Sequence, residues 1–185
     1  MEDDPFDVIK KKKNSSMSVA LRMLADGEGD AYVGAGSTGA IVVAATLIVK
    51  RIKGIKRAAL ASVLPGLEKD YMLLDLGANV ECRPEMLSQF GMMGSVYMKS
   101  IEGVENPTVG LINIGVEESK GTELQKEAFA LMQKADYNFI GNVEVRDVPA
   151  GACDVAVTDG WTGNIVLKTI EGLGKGFGKM LKEML

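Results

Sequence analysis

The chain has 185 residues, of which 46% are apolar and 25% charged, as is ordinary for one globular domain with a core of its own. Its net charge of −4 argues against nucleic acid as the main partner. The absence of histidine excludes a Ser-His-Asp triad and a histidine-ligated zinc site built from this chain alone.

The first part of the chain is predicted to contain helices around one short strand. Asp4-Pro5 starts a helix, with proline at its first position, and a second helix starts near Ser15-Ser16. Ala31 to Gly34 has the composition of a short strand. Ser37-Thr38 then caps a buried helix from Gly39 to about Val49, whose apolar run is about half the length that a bilayer span needs.

The remainder alternates strands and helices, which favours an α/β unit with a mostly parallel sheet. One helix begins at Pro84-Glu85, and another presents Leu124, Ala128, Leu131 and Met132 to the core. The apolar segments that we interpret as strands are Ala58 to Val63, Tyr71 to Leu76, Thr108 to Ile114, Asn138 to Gly141 and Asp154 to Thr158.

The C-terminal stretch, from about residue 165, is predicted to be an amphipathic helix. Leu173, Phe177, Met180, Leu181 and Met184 fall on one helical face, with lysines elsewhere. Such a helix suits a membrane surface or a partner, and it equally suits a core or a dimer interface. Both ends of the sequence look cut, so we expect the chain to be the central part of a longer protein, organised over residues 1–185 as a single α/β unit.

Polar, glycine-containing turns follow the strands in the predicted sheet. Because ligands of open α/β sheets bind at the carboxyl ends of the strands, five such exits could line one cleft. Asparagine and glycine are also common turn residues, and that simpler explanation stays open. The candidate substrate-binding residues at these exits are Gly36, Ser37, Thr38, Gly39, Asn79, Asn113, Glu117, Asn142, Asp159 and Gly163.

The turn from Gly36 to Gly39 is the best candidate for a phosphate site. It follows a predicted strand and opens a helix, so free amides and the helix dipole would point at an anion. Gly34 completes the dinucleotide pattern G-x-G-x-x-G, but the usual acidic residue about 20 positions later is missing. The stretch from Lys50 to Arg57 is basic instead, which leaves a 2′-phosphorylated dinucleotide open.

Lys120 is the second candidate for binding an anion. A cation at a helix start is disfavoured by the dipole, so its presence there needs another reason. Pairing with Glu117 or Glu118 would be a simpler explanation. Those two carboxylates could in principle hold a metal, although no histidine is available to assist them.

Read together, the segments resemble the bacterial phosphate acyltransferases of phospholipid synthesis (the PlsX family). The resemblance runs in family order over nearly the whole chain. Its matching stretches are Glu2-Asp3-Asp4-Pro5, Lys12-Lys13-Asn14-Ser15-Ser16, Ala35-Gly36-Ser37-Thr38-Gly39-Ala40, Leu74-Asp75-Leu76-Gly77-Ala78-Asn79, Gln89-Phe90, Met93-Gly94-Ser95, Asn106-Pro107, Gly110-Leu111-Ile112-Asn113-Ile114-Gly115, Glu117-Glu118, Lys120-Gly121, Asn138-Phe139-Ile140-Gly141-Asn142-Val143-Glu144, Arg146-Asp147 and Asp159-Gly160-Trp161-Thr162-Gly163-Asn164.

The resemblance implies a three-layer α/β/α fold similar to isocitrate dehydrogenase and phosphotransacetylase. It implies a homodimer, loose association with the membrane, and catalysis by the positions that match Lys120 and Asn164. From the residues themselves, the two distant cysteines, Cys82 and Cys153, form no metal-like pair and favour a cytoplasmic setting, and we expect no cofactor or metal. The family's usual N-terminal segment, rich in Asp, Gly and His, and its C-terminal Gly-rich and His-Gly segment are not in this sequence. Ser37, Val116 and Trp161 also depart from the commoner family residues.

The hypothesis that follows is attack by inorganic phosphate on the thioester of an acylated acyl carrier protein. Lys120 would neutralise phosphate or oxyanion charge, and Asn164 would donate to the thioester carbonyl. The acidic carrier would dock on Lys50, Arg51, Lys53, Lys56 and Arg57. Use of acyl-CoA as donor, a dehydrogenase of the related fold, and a non-catalytic membrane- or partner-binding module stay open as alternatives.

Overall fold

A computed structural model describes residues 12–184 of the chain. The chain divides into two compact units, Met1–Ala58 and Ala59–Leu185. The helix that the sequence predicts from Asp4-Pro5 lies outside the described residues. The expectation that residues 1–185 form a single α/β unit stays a prediction.

In the first unit, helix α1 spans Ser16–Ala25 and helix α2 spans Thr38–Ala44, continued by a π-helical turn at Ala45–Val49. Serine side chains cap both helices. The Ser15 hydroxyl accepts from the amide of Ser18 at 3.3 Å, and the Ser37 hydroxyl accepts from the amide of Ala40 at 3.4 Å. Both helix starts predicted from the sequence are therefore confirmed.

The strand predicted at Ala31 to Gly34 is wrong. Residues 31–35 have no regular structure, and the side chain of Val33 is 95% exposed. A strand exists only where a neighbouring strand takes its backbone hydrogen bonds. Among the described residues of the first unit, no such neighbour is present.

In the second unit, five strands and three α-helices are described. The strands are β1 (Ala61–Leu64), β2 (Tyr71–Leu74), β3 (Thr108–Asn113), β4 (Asn138–Glu144) and β5 (Val155–Val157). The helices are α3 (Pro84–Ser100), α4 (Glu123–Met132) and α5 (Gly160–Met184), and a 3-10 helix spans Val145–Ala150. Each predicted strand in this unit is confirmed, with its ends shifted by a few residues.

The described strands form one sheet in the order β1-β2-β5-β3-β4. Strand β1 is antiparallel to β2, and the other neighbours are parallel. The chain therefore crosses over from β2 to β3 and later returns to place β5 between them. The mostly parallel sheet predicted from the unbroken apolar runs is confirmed.

Helices cover both faces of the sheet, so the unit has the predicted α/β/α layers. On one face, Leu87 and Phe90 of α3 and Ala128 and Met132 of α4 pack on the strands. On the other face, Val166 and Leu167 of α5 and the 3-10 helix pack against a second cluster.

The core face of α4 differs in part from the prediction. Ala128 and Met132 are buried as expected, but Leu131 is 38% exposed and Phe129 is buried instead. Residues 128, 129 and 132 form one helical stripe, and residue 131 lies at its edge.

Among residues 12–184, no helix has both the length and the apolar character needed to cross a bilayer.

Candidate active site

The loop after β2 is organised by the side chain of Asp75, which is completely buried. One carboxylate oxygen accepts from the amides of Leu60 (2.9 Å), Gly77 (3.2 Å) and Ala78 (3.0 Å). The other accepts from the amide and the side chain of Asn79, both at 2.7 Å. Asp75 therefore holds the loop closed, and its oxygens are occupied by the protein itself.

Helix α5 begins against this loop. The amide of Gly160 donates to the carbonyl of Asn79 at 2.8 Å. The carboxylate of Asp159, just before the helix, accepts from the amide and hydroxyl of Thr162 at 2.8 and 2.9 Å. Asp159 thus caps the helix, which is a structural use of a residue that the sequence suggested as a substrate ligand.

The side chain of Asn164 lies on the surface beside the same loop. Its amide nitrogen donates to the carbonyl of Leu76 at 3.1 Å. A Cβ on Gly77, whose φ is 129°, would lie 2.9 Å from that nitrogen, so glycine leaves room for the amide. An asparagine amide has two N–H groups, and the second one of Asn164 has no partner among the described residues.

The loop after β3 is closed by Asn113. Its side-chain nitrogen donates to the carbonyl of Lys120 at 3.0 Å, and its side-chain oxygen accepts from the amide of Ile114 at 2.8 Å. The amide of Lys120 donates to the carbonyl of Glu117 at 3.1 Å. The backbone of Lys120 is therefore fixed, while its side chain is exposed.

The ammonium of Lys120 has no hydrogen bond or ion pair with another described residue. The simpler explanation that Lys120 pairs with Glu117 or Glu118 therefore does not hold here; Glu118 instead accepts from Gln133 at 3.4 Å. Among residues 12–184, no group of three or more cysteine, aspartate and glutamate side chains is placed to hold a metal ion.

Asn142 lies inside β4, not at the end of a strand as the sequence suggested. The strand continues to Glu144 because Gly141, with a φ of 99°, accommodates an irregularity in its pairing with β3. The Asn142 side chain donates to the carbonyl of Glu117 at 2.9 Å, so a residue of the sheet holds the loop that carries Lys120. Its oxygen is buried without a partner among the described residues.

These loops lie at one edge of the sheet. Strands β2, β5 and β3 are parallel neighbours, so their carboxyl ends meet there. Asn79, Asp159, Gly163 and Asn164 all lie where the start of α5 contacts the loop after β2. The loop from Asn113 to Lys120 follows β3, which is the next strand of the sheet after β5. This is the sheet edge at which the sequence predicted a cleft.

The Gly36 to Gly39 turn belongs to the first unit. Ser37 caps α2, and a Cβ on Gly36 would lie 3.3 Å from the Met17 side chain. The dinucleotide pattern that Gly34 completes requires a strand before the turn. Since residues 31–35 form no strand, that alternative lacks its structural context.

Cys82 lies beside the site as a protonated thiol. Its sulfur is near the carbonyl of Asn79, at 3.5 Å. Burial, with a smaller contribution from the carboxylates of Asp75 and Asp159, raises the pKa of Cys82 to about 11 against an opposing hydrogen bond from Gly160. A thiol with that pKa is a poor nucleophile at neutral pH.

Sequence reasoning did not single out Asp75 or Gly77 as site residues. The signal for Asp75 was a carboxylate directly after a fully apolar strand, where a buried charge needs several donors. Gly77 lies in the turn that Asp75 begins, so the same signal would have indicated it. The hydrogen bonds of Asp75 to four different residues depend on the folded loop and could not be derived from spacing.

Two kinds of comparison with known sequences give consistent results. A family model described as "Fatty acid synthesis protein" matches residues 1–185. The phosphate acyltransferase of Clostridium botulinum (strain Loch Maree / Type A3) is 51% identical over 179 residues, which are 97% of this chain and 53% of that protein. The phosphate acyltransferase of Desulfitobacterium hafniense (strain DSM 10664 / DCB-2) is 52% identical over 186 residues, covering 100% and 56%.

The chain thus spans about half the length of the curated relatives that it matches. These matches confirm the resemblance seen in the sequence motifs.

Solved structures show the fold. The EutD phosphotransacetylase of Staphylococcus aureus superposes with a TM-score of 0.64 at 19% identity, covering 90% of this chain and 58% of that one. A phosphotransacetylase of Streptococcus pyogenes gives 0.68 at 19% identity, covering 85% and 54%. The phosphotransacetylase-like fold expected from the sequence is confirmed.

Proposed function

The chain belongs to the fatty acid synthesis protein family, and we propose that it transfers a fatty acyl group from a thioester carrier to inorganic phosphate. The observation that carries the proposal is the pair of unoccupied donors at the carboxyl edge of the sheet. They are the second N–H of Asn164 and the ammonium of Lys120. Curated relatives at 51% and 52% identity, named phosphate acyltransferases, support the same reaction class.

In the proposed reaction, a phosphate oxygen attacks the acyl carbonyl carbon and the C–S bond breaks. The products are an acyl phosphate and a free thiol, which takes the proton that phosphate gives up. A thiol with a pKa of about 8.5 leaves readily, so a strong general acid is not needed. The reaction therefore suits a chain that has no histidine.

Asn164 would stabilise the oxyanion that forms on the thioester carbonyl. One of its N–H groups holds the side chain to the carbonyl of Leu76, and the other remains available for the substrate. A donor that is fixed before the reaction has little reorganisation left to undergo when charge develops.

Lys120 would bind the phosphate. Its backbone is held by Asn113, and its ammonium is exposed at the carboxyl edge. The ammonium is a compact charge with three N–H donors on a flexible stem, and it would offset the negative charge of phosphate and of the developing oxyanion.

Direct transfer to phosphate is favoured over an acyl-cysteine intermediate. Cys82 is the cysteine beside the site, and its pKa of about 11 leaves it protonated. Cys153 is fully buried, and its pKa is raised, mainly by burial, to about 12.

For the donor, we propose acyl carrier protein. An acidic carrier would be attracted by a cluster of exposed basic residues in the first unit. The cluster comprises Lys50, Arg51, Lys53, Lys56 and Arg57.

We also propose that the distal half of α5 contacts a membrane surface or a second copy of the chain in a homodimer. Its apolar side chains are exposed on one helical face, with lysines beside them. Leu173, Phe177, Met180, Leu181 and Met184 are between 55% and 80% exposed. A cytoplasmic enzyme at the inner face of the membrane fits this proposal.

The test replaces the two donors separately. We expect Asn164→Ala and Lys120→Ala each to lower turnover by about 10²–10³, as is typical when one donor to an oxyanion is lost. Neither side chain is buried, so the fold should survive, as circular dichroism would verify. Lys134→Ala removes an exposed lysine after α4 and serves as the control, with turnover unchanged. Turnover within twofold of the wild type for both donor variants would reject these roles.

The assay uses the complete product of the gene that encodes this chain. It follows thiol release from an acylated carrier and traps acyl phosphate with hydroxylamine. Release that requires phosphate supports the proposal, and a matched acyl-CoA donor then shows which carrier is preferred. Vesicle binding without phosphate-dependent release would instead favour a non-catalytic membrane-binding module.

A further inference from the structure

An apolar cavity of about 270 Å³ lies between α5 and the sheet in the second unit. Leu73 and Ile112 of the sheet form its floor. Its walls include Val148 of the 3-10 helix and a row of α5 side chains from Ile165 to Leu173. The size is close to the lower end of the range for small-molecule pockets, about 300–1,000 Å³.

At one end, the cavity is lined by residues that are sequence neighbours of candidate site residues. Ile112 on its floor directly precedes Asn113, and Ile165 on its wall directly follows Asn164. Helix α5 rises about 1.5 Å per residue, so its wall continues for about 12 Å from Ile165 to Leu173. One end of the cavity therefore lies one residue along α5 from Asn164, and the cavity extends from there along the helix.

We propose that this cavity holds the acyl chain of the thioester donor while the thioester carbonyl meets Asn164. The inference rests on the proposed function, because it assigns the acyl subsite of the same reaction. Its support is the lining residue Ile165, which directly follows Asn164 on α5, and the chemistry of the rest of the lining.

The lining suits a hydrocarbon better than a polar ligand. Nearly all of its surface is carbon, so a polar ligand would lose its hydrogen bonds to water without replacing them. Ile165 and Leu173 at the two ends of the α5 wall are 52% and 55% exposed. A bound acyl chain would remove this apolar surface from water.

The cavity should make binding of the donor depend on the length of its acyl chain. Each methylene group that moves from water into the cavity strengthens binding about fourfold. The KM for the donor should therefore fall about fourfold with each added methylene until the cavity is full and should then level off.

The variant that tests this is Thr169→Phe. Thr169 lines the cavity from α5 and is exposed, so a larger side chain there takes up room with little risk to the core. Lys168→Phe is the matched control: it adds the same ring to the neighbouring position of the helix, which does not line the cavity, and removes only a surface ion pair with Glu171.

We expect Thr169→Phe to lower kcat/KM for a hexadecanoyl donor about tenfold or more, equivalent to about two methylene groups displaced. A butanoyl donor should be affected less than twofold, since a short chain does not reach the filled region. Lys168→Phe should leave both donors within twofold. Ile170→Ala enlarges the cavity and should move the preferred chain length upward, which covers the case that Thr169→Phe fails to fold.

A second arm measures binding without turnover. The complete gene product is titrated with the fluorescent fatty acid cis-parinaric acid, and hexadecanoic acid is used to displace it. We expect Thr169→Phe to weaken probe binding about tenfold and Lys168→Phe to leave it unchanged.

The two arms separate the two possible failures. If phosphate-dependent transfer shows the same chain-length profile in all three variants, Thr169→Phe, Ile170→Ala and the control, the cavity proposal is overturned and the proposed function is retained. Absent transfer, with probe binding that still responds to Thr169→Phe, would reject the function and retain a hydrocarbon site. The proposal is also overturned if the probe does not bind at all, for example because another protein segment or a second copy of the chain fills the cavity.

Discussion

At the scale of single residues, Asp75 organises the loop after β2. Its carboxylate accepts hydrogen bonds from Leu60, Gly77, Ala78 and Asn79 and is completely buried. Charge-assisted bonds of this kind are about twice as strong as neutral ones. The loop on which Asn164 rests is therefore built around one buried anion.

We expect Asp75→Ala to lower the free energy of unfolding by about 3 kcal/mol or more. The substitution leaves several loop N–H groups without an acceptor, and each buried orphan costs about 1–3 kcal/mol. Urea denaturation followed by circular dichroism measures the change. Asp70→Ala, at an exposed position before β2, is the control and should stay within about 0.5 kcal/mol of the wild type. Equal stabilities of the two variants would contradict the structural role of Asp75.

At the scale of elements, the start of α5 is packed unusually close to the β2 loop. A Cβ on Gly163 would overlap the carbonyl oxygen of Asp75 and would lie 3.0 Å from the Thr158 side chain. Gly163 is also buried. Only glycine lets the helix approach this closely, and that approach places Asn164 beside the carbonyl of Leu76.

We expect Gly163→Ala and Gly172→Ala to have opposite effects on stability. In the first, the added methyl group pushes α5 off the loop and costs about 1–3 kcal/mol. In the second, nothing lies within 4 Å of the new Cβ, so the gain in helix propensity stabilises by about 1 kcal/mol. Differential scanning calorimetry compares the two melting temperatures.

Gly163→Ala should also lower turnover, because it displaces Asn164, whereas Gly172→Ala should not. A Gly163→Ala protein with wild-type stability and turnover would show that the close contact has no role.

At the scale of the whole second unit, Asp154 connects three chain segments. Its carboxylate accepts from the ammonium of Lys69 at 2.6 Å and from the amide and hydroxyl of Thr108 at 2.8 and 2.6 Å. Burial by itself would raise the pKa of Asp154, but these donors outweigh it, and its pKa is lowered from the ordinary 3.8. The cluster lies at the amino ends of β3 and β5, opposite the candidate site.

This depressed pKa predicts acid sensitivity. The folded state prefers the ionised carboxylate, so its contribution to stability is complete above the unfolded pKa of about 3.8. It is lost as the pH falls from there through the lower pKa of the folded state. Urea midpoints measured between about pH 2 and pH 5 should fall more steeply for the wild type than for Asp154→Asn. Parallel pH profiles would contradict the assignment.

Much of the second unit could be predicted from local pattern. The apolar runs predicted all five described strands, and Pro84 predicted the start of α3. The spacing of apolar side chains and the residues that cap helices are local properties, so they can be recognised directly in the sequence. The family motifs, read in order, likewise predicted the phosphotransacetylase-like fold that the structural matches show.

The errors came where pairing between distant segments decides the outcome. Residues 31–34 have strand composition but no neighbouring strand in their unit. Gly141 looked like the end of a strand, yet an irregularity in the pairing of β3 with β4 allows the strand to continue, so Asn142 supports the Lys120 loop from inside the sheet.

The sequence by itself predicted the described α-helices, the five strands of the second unit and the resemblance to the family. The tertiary structure decided which polar residues remain available to a ligand. Asp75, Asp159 and Asn113 are all polar residues at strand exits, but folding uses their hydrogen-bonding groups for loops and caps. Asn164 and Lys120 keep free donors, because hydrogen-bond partners are assigned only when segments far apart in sequence come into contact.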